Sequence, residues 1–326
     1  MARYVRTQSI EHPIGTDGRV VMSLAATDVR LRGTDAPNAV MRATFEISAA
    51  SESEADAIFE RSRMRVAAGT GSLAIEESND SSLGGVIGRL LTGRGSVNAE
   101  LELEIPRGAR LVLETVSGEI TAEALEGEQR YATTSGDIYL NDGGGSLRLN
   151  TVSGDVVVRA ERPISGRLET VSGDVVVSAP RIDALRAQTV SGDVDVDGEL
   201  ASAGEFRVET VSGDFGIGLA GSAAFDVRGI STDISSDIDH RIEGRLDRRR
   251  VVIGSGEPTV IFSSMSGDLS IRRQRRFAPA GTEAPVTSPT PTVAADAQLA
   301  VLEALERGEI DVDEATRRLA GGPSDA

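Results

Sequence analysis

Cysteine and tryptophan are absent from this 326-residue chain, and aromatic residues make up only 3% of it. Without cysteine there is no disulfide, no thiol nucleophile and no thiolate metal site. With so few rings, a core has to be packed from Val, Leu, Ile and Ala, and hydrophobic residues at 39% suffice for one. Long apolar runs are missing as well: no stretch approaches the ~18 residues of a membrane span. Met1 to Gly15 carries Arg3 and Arg6 with no apolar segment behind them, unlike a secretory signal. The expected location is the cytoplasm, with the cell surface reached by a non-standard route as the alternative. Acidic residues outnumber basic ones, 51 to 34, and a net charge of −17 opposes a nucleic-acid partner. Two basic runs, Arg245 with Arg248 to Arg250, and Arg272, Arg273, Arg275 and Arg276, read as charge balance on an acidic rod with a solvated edge.

Glycine, by contrast, is abundant at 36 residues, which suggests many tight turns. Much of it falls in an internal repeat. Ser-Gly pairs begin at Ser117, Ser135, Ser153, Ser172, Ser191 and Ser212, with spacings of 18, 18, 19, 19 and 21 residues. A further copy, Ser266-Gly267-Asp268, ends the array, and a degenerate copy, Gly229-Ile230-Ser231-Thr232-Asp233-Ile234, lies between, with Thr where Gly is expected. Apolar residues alternate with polar ones on both sides of each turn: Leu147, Leu149 and Thr151 share one phase before it, Val156 and Val158 one phase after it. One such strand pair cannot bury its apolar face, so the rungs must stack at ~4.8 Å around a shared core. The predicted fold is all-β: a parallel two-sheeted β-solenoid with rungs of ~18–21 residues.

The turn residues Gly118, Gly136, Gly154, Gly173, Gly192, Gly213 and Gly267 are expected to supply positive φ. Beside them Asp137, Asp155, Asp174, Asp193, Asp214 and Asp268 should stack as a column that caps turn N–H groups. A calcium role for that column is disfavoured, because calcium-binding β-rolls use a nonapeptide with a Gly-Gly-x-Gly core, about half this period. The Thr column at Thr151, Thr170, Thr189 and Thr210 shares the inward phase, which argues against a flat ice- or carbohydrate-binding face. No nucleophile elbow, P-loop or metal motif occurs. His12 and His240 stand in poorly patterned segments and read as surface residues. The expectation is a protein without catalytic centre, cofactor or metal.

Outside the repeats, residues 1–17 read as a lead-in and 18–272 as the solenoid domain. Ser51-Glu52-Ser53-Glu54 is a capping-box pattern, and a short helix from Ala55 to Met64 could cover the open end of the core. Ser78 to Gly95, rich in Ser and Gly, reads as a mobile loop before a strand over Val97 to Ile105. Residues 273–295 carry Pro279, Pro285, Pro289 and Pro291 and read as a flexible linker. Residues 296–320 show a helical period and predict a small α-helical hairpin, with 321–326 as a tail. Leu299, Leu302, Leu305 and Leu319 are too many apolar side chains for so small a pair to hide, so they form the expected docking face for an unknown protein partner or a second copy.

With Thr115-Val116-Ser117-Gly118-Glu119-Ile120, Thr134-Ser135-Gly136-Asp137-Ile138 and three copies of Thr-Val-Ser-Gly-Asp-Val from Thr151, Thr170 and Thr189, the region resembles a bacterial family of adhesin-like repeat domains related to the auto-transporter adhesin head GIN domains. The resemblance covers most of residues 18 to 272 and implies an adhesin role, with no site attached. The stretch Leu302 to Ala315 resembles the short helical module of cell-envelope-stress proteins. That implies peripheral association with the envelope. Together these readings predict a non-enzymatic scaffold or interaction protein. A surface-exposed adhesive or carbohydrate-binding protein is the alternative.

Overall fold

The computed structural model describes residues 2–77, 97–245 and 248–274. The expected loop at Ser78 to Gly95, the helical pair at 296–320 with its docking face, the tail at 321–326, Arg275 and Arg276 lie outside them, as does all of the expected linker except Arg273 and Gln274. Arg273 closes a strand, Leu269–Arg273, rather than opening the linker.

Each rung contributes one strand before its Ser-Gly turn and one after it. The strands before the turn, Arg110–Glu114, Glu128–Ala132, Gly145–Asn150, Ile164–Glu169, the end of Val175–Gln188, and Phe206–Glu209, pair in parallel as one sheet. Those after it, Ile120–Glu123, Ile138–Asn141, Val156–Arg159, the start of Val175–Gln188, Val194–Leu200 and Phe215–Leu219, form the second. Between consecutive turns, paired Ser residues continue the ladder from Ser117 to Ser266.

The alternation of side chains decides what lies between the sheets. Leu111, Leu113, Leu147, Leu149 and Val208 from the first sheet meet Ile120, Ile138, Val156, Val175 and Val194 from the second, all buried. Each such side chain contributes about 1.5–3 kcal/mol of transfer free energy. Aromatic residues enter the core at a few points, among them Phe215 and Phe262, whose ring centroids lie 5.4 Å apart. Tyr131 is also fully buried, and its hydroxyl donates to Gln129 Oε1 at 2.9 Å while Gln129 Nε2 donates to the Gly144 carbonyl at 3.1 Å. That pairing removes the penalty of a buried hydroxyl.

At the turns, glycine is required chiefly by the neighbouring rung. A Cβ on Gly173 would lie 2.1 Å from the Gly154 carbonyl oxygen, on Gly192 2.1 Å from that of Gly173, and on Gly213 2.0 Å from that of Gly192. Positive φ is a second requirement at Gly118, Gly154, Gly173, Gly192 and Gly213. It does not apply at Gly136 and Gly267, contrary to the expectation for all seven; there the close approach alone, 2.2 Å to Gly118 O and 1.9 Å to Gly213 O, excludes a side chain.

The ends of the stack depart from chain order. The strand Thr259–Ser266 inserts between Phe206–Glu209 and Ala223–Ser231, so the copy at Ser266 stacks directly on Ser212 and the degenerate copy lies outside it. That copy replaces Thr-x-Ser-Gly by Gly229-x-Ser231-Thr232. The Thr232 hydroxyl fills the space above Gly229, 2.1 Å from where a Cβ would stand, and Thr232 has no left-handed φ. The N-terminal end mirrors this: Arg19–Ser23 and Asp28–Thr34 lie between the Arg110 rung and the later strands Ser72–Glu76 and Val97–Pro106.

Antiparallel strands then finish three of the four sheet edges. They are Ala2–Pro13 on Asn38–Ala49, Arg65–Gly69 on Ser72–Glu76, and Arg241–Arg245 on Arg248–Ile253. The fourth edge is the three-residue strand Ile234–Ser236. Short or charged edges of this kind resist pairing with other chains. Residues 2–13, read from sequence as a lead-in, are thus a structural edge strand.

The helix expected over Ala55 to Met64 forms as Glu52–Ser62, starting directly after its Ser51 cap rather than after the whole capping pattern. Ser51 Oγ accepts from Glu54 N at 3.2 Å, Ala55 and Ile58 are buried, and Phe59 meets Phe45 edge-on at 5.3 Å.

Candidate functional site

The turn edge carries the aspartate column. Asp137 Oδ1 accepts from Asp155 N at 2.9 Å, Asp155 from Asp174 N at 2.9 Å, Asp174 from Asp193 N at 2.8 Å, and Asp193 from Asp214 N at 2.7 Å. Asp214 and Asp268 continue it to Asp268 N and Asp233 N, both at 2.7 Å, and Asp28 starts it on Glu119 N at 3.0 Å. Glu119, in an aspartate slot, turns its carboxylate to the Thr121 hydroxyl instead, at 3.3 Å. Each aspartate therefore satisfies a turn N–H that strand pairing leaves over, a structural task. Among the described residues no group of three or more His, Asp or Glu could hold a metal ion.

Thr151, Thr170, Thr189 and Thr210 point inward and are buried, and their hydroxyls meet no acceptor among the described residues. His12 Nε2 and His240 Nδ1 each lie 2.8 Å from a backbone carbonyl, of Gly69 and Ile238. In the basic runs Arg250 pairs with Asp226 at 2.8 Å and Arg272 with Asp195 at 2.5 Å, while Arg249 donates to the Thr232 carbonyl.

A second, outward column is the more unusual feature. In the first sheet, Arg130 pairs in register with Arg148, Arg148 with Arg167, Arg167 with Arg186, and Arg186 with Arg207. Five guanidinium-bearing residues thus stand in one row, at the ~4.8 Å strand spacing, on the face turned away from the core. Two residues earlier on the same face, Arg19 is paired with Arg110. Beyond them that flanking row passes through Glu128 and falls away to Ser146, Ser165 and Ala184. These small side chains leave a trough of about 510 Å³, lined by Arg19, Arg110, Arg130, Arg148 and Arg167 with Glu128 the one acidic lining residue.

The row is electrostatically divided. At one end Glu209 takes both Arg207, at 2.5 Å, and Arg186, at 3.4 Å; Arg167 pairs with Glu169 at 2.6 Å. Hydrogen bonding to Arg207 holds the Glu209 carboxyl below the usual carboxylate range, against the opposing effect of its partial burial. At the other end Arg19, Arg110, Arg130 and Arg148 are exposed, and none has a carboxylate within ion-pair distance among the described residues. The chain has no lysine, and each row member offers a planar fork suited to bidentate contact with carboxylate or phosphate.

The row was readable from the chain. Arg130, Arg148, Arg167, Arg186 and Arg207 each precede the Ser of a Ser-Gly pair by five residues, at an outward position. It carries the outward phase of each strand, whereas the inward phase marks only the core, and it lies apart from the basic runs at 245–250 and 272–276.

Fold and surface together define a class: a stacked, parallel, two-sheeted β-solenoid whose exposed chemistry lies in rows along the stack rather than in a cleft of converging acids and bases. Over residues 20–272 the chain matches the model of a family described as Toastrack DUF4097, and it belongs to that family. No curated protein matches it. Similar solved structures include a candidate lipid binding protein from Parabacteroides distasonis, 14% identical, with a TM-score of 0.38 over 82% of this chain and 97% of that one. A candidate adhesin from Bacteroides fragilis is 12% identical, TM-score 0.31, over 82% and 97%. A candidate cell adhesion protein from Clostridium sporogenes is 10% identical, TM-score 0.28, over 84% and 100%.

Proposed function

We propose that this chain is a non-enzymatic interaction scaffold whose working surface is the arginine-bearing outer face, and whose partner is acidic. The observation that carries this is the in-register row from Arg130 to Arg207. Like charges directly opposite on paired strands destabilise a sheet, and a row of five is retained on a chain whose overall charge is −17. At physiological salt, screening over ~8 Å makes this local face count for more than the net charge. The neighbouring ladders of glycine and aspartate fix the rungs, so the face is presented as a rigid comb. Residence in the cytoplasm, peripheral association with the envelope, and a second contact or self-association through the helical pair expected from sequence at 296–320 complete the proposal.

The test is quantitative capture of extract components by the immobilised protein. Comparison is with a double variant, Arg130→Glu with Arg148→Glu, and with a chain ending at residue 295. Salt-labile capture should disappear in the double variant and persist in the shortened chain. Equal capture by the wild type and the double variant would place the binding surface elsewhere and defeat this reading.

A further inference from the structure

We infer that the trough beside Arg130 and Arg148 is a binding site for a linear acidic polysaccharide, a chain bearing one carboxylate per sugar, laid along the stacking axis. This rests on the proposal that the arginine face is the working surface, and adds to it a place and a ligand class. Three features of the trough carry it.

The first is the division of the row. Arg186 and Arg207 share one internal carboxylate, Glu209, and Arg167 pairs with Glu169. Arg110, Arg130 and Arg148 have no such partner and line the same trough. An anionic ligand that ran past them would supply the missing countercharges without displacing any internal ion pair.

The second is shape. The row of Ser146, Ser165 and Ala184 beside the arginines makes the surface concave along the stack, with a volume of about 510 Å³. A groove one side chain wide admits a single extended chain. A flat anionic membrane could touch only its rims, and a nucleic-acid duplex is too broad to enter.

The third is spacing and composition. The backbone positions of the arginines repeat at ~4.8 Å, fixed by strand pairing, which is about the length of one sugar unit and longer than the rise per nucleotide in a duplex strand, ~3.4 Å. No aromatic side chain lines the trough. Base stacking, on which single-stranded nucleic-acid sites depend, therefore has no platform there. Ser146 and Ser165 place hydroxyls along the floor, where sugar hydroxyls can exchange hydrogen bonds with them.

The experiment is titration calorimetry of the full chain with oligogalacturonates of increasing length. The same is done with their methyl esters, a single-stranded oligodeoxynucleotide of matched charge, and vesicles containing an anionic phospholipid. Galacturonate affinity should grow with length until the trough is filled, then level off, and should fall steeply as salt rises. The neutral esters should not bind. Arg130→Glu with Arg148→Glu should weaken galacturonate binding at least tenfold while the circular dichroism stays that of the wild type. Arg130→Lys with Arg148→Lys should restore part of it. Arg159→Gln, on the second sheet and outside the trough, should change affinity by less than twofold. Absence of salt-sensitive galacturonate binding overturns the inference. Tighter binding of the oligonucleotide or the vesicles through Arg130 and Arg148 would overturn the polysaccharide assignment but keep the arginine face as the working surface. If no anion responds to charge reversal, both fall.

Discussion

The turn edge and the arginine face repeat with the same period, yet for opposite physical reasons. On the turn edge each repeated residue improves the contact between rungs: glycine because a side chain would strike the next carbonyl, aspartate because its carboxylate meets the next N–H. Stacking would enforce such residues whatever the protein did. On the arginine face like charges from Arg130 to Arg207 face one another across paired strands, offset by Glu169 and Glu209 at one end and unrelieved at Arg130 and Arg148. Repetition that stabilises describes the fold, and repetition that the fold does not need points to use.

The sharpest break in this contrast comes from one type of substitution placed inside and outside the same rung. Val175 is fully buried, whereas Val171, four residues earlier, stands on the turn edge with 47% of its surface exposed. Val175→Asp puts an unpaired carboxylate between the sheets at a cost of several kcal/mol and should leave the chain unfolded by circular dichroism. Val171→Asp should melt within a few degrees of the wild type. Similar melting of the two variants would mean that the inward phase has been misassigned.

Next in size is the glycine ladder. Gly192→Ala sets a methyl group against the Gly173 carbonyl at a position with φ of +147°, and a loss of about 3 kcal/mol is expected from overpacking and backbone strain. Gly221, with open space around it, is the control, and Gly221→Ala should be close to neutral in urea denaturation. Equal midpoints for the two variants would remove the steric argument for the ladder.

Much of this was legible in the chain, and the reason is local. The phase of Leu147 and Leu149 against Arg148 sets one face of a strand inward without knowledge of its neighbours, and both leucines are buried. Ser51 and Glu54 announce the helix start through contacts within four residues. The insertion of the Ser266 rung beside Ser212 could not be read, because a Ser-Gly-Asp turn fits equally on any other such turn. Long-range pairing of Thr259–Ser266 with Phe206–Glu209 decides it. The exchange of Gly229 and Thr232 was visible as a Thr in a glycine slot, but only packing shows the Thr hydroxyl filling the space its partner vacates. The arginine row lay between these cases. Its period is in the sequence, whereas its division into paired and unpaired ends depends on where Glu209 and Glu169 reach.

That division yields the smallest expected effect and the most discriminating one. At the paired end, Arg207 holds the Glu209 carboxyl below its ordinary range, so the charged carboxylate is favoured in the folded state. The sign follows from linkage: a depressed folded pKa stabilises the fold fully above the unfolded pKa, and that contribution is lost as pH falls through the folded value. Arg207→Gln should therefore lower the melting temperature slightly near neutrality, by roughly a degree given the weakness of partly exposed ion pairs. The deficit should vanish in acid, once Glu209 is protonated in the wild type too. At the unpaired end the sign reverses. Arg148 has arginine on both sides and no carboxylate partner, so Arg148→Gln removes repulsion and should leave stability unchanged or raise it by up to about 0.5 kcal/mol. That effect should depend little on pH between neutrality and mild acid, because no carboxylate is coupled to it, and should shrink as salt screens the row. A destabilised, acid-sensitive Arg148→Gln variant would show that this end of the row is held by an internal carboxylate after all. The trough would then offer no free charge to a ligand.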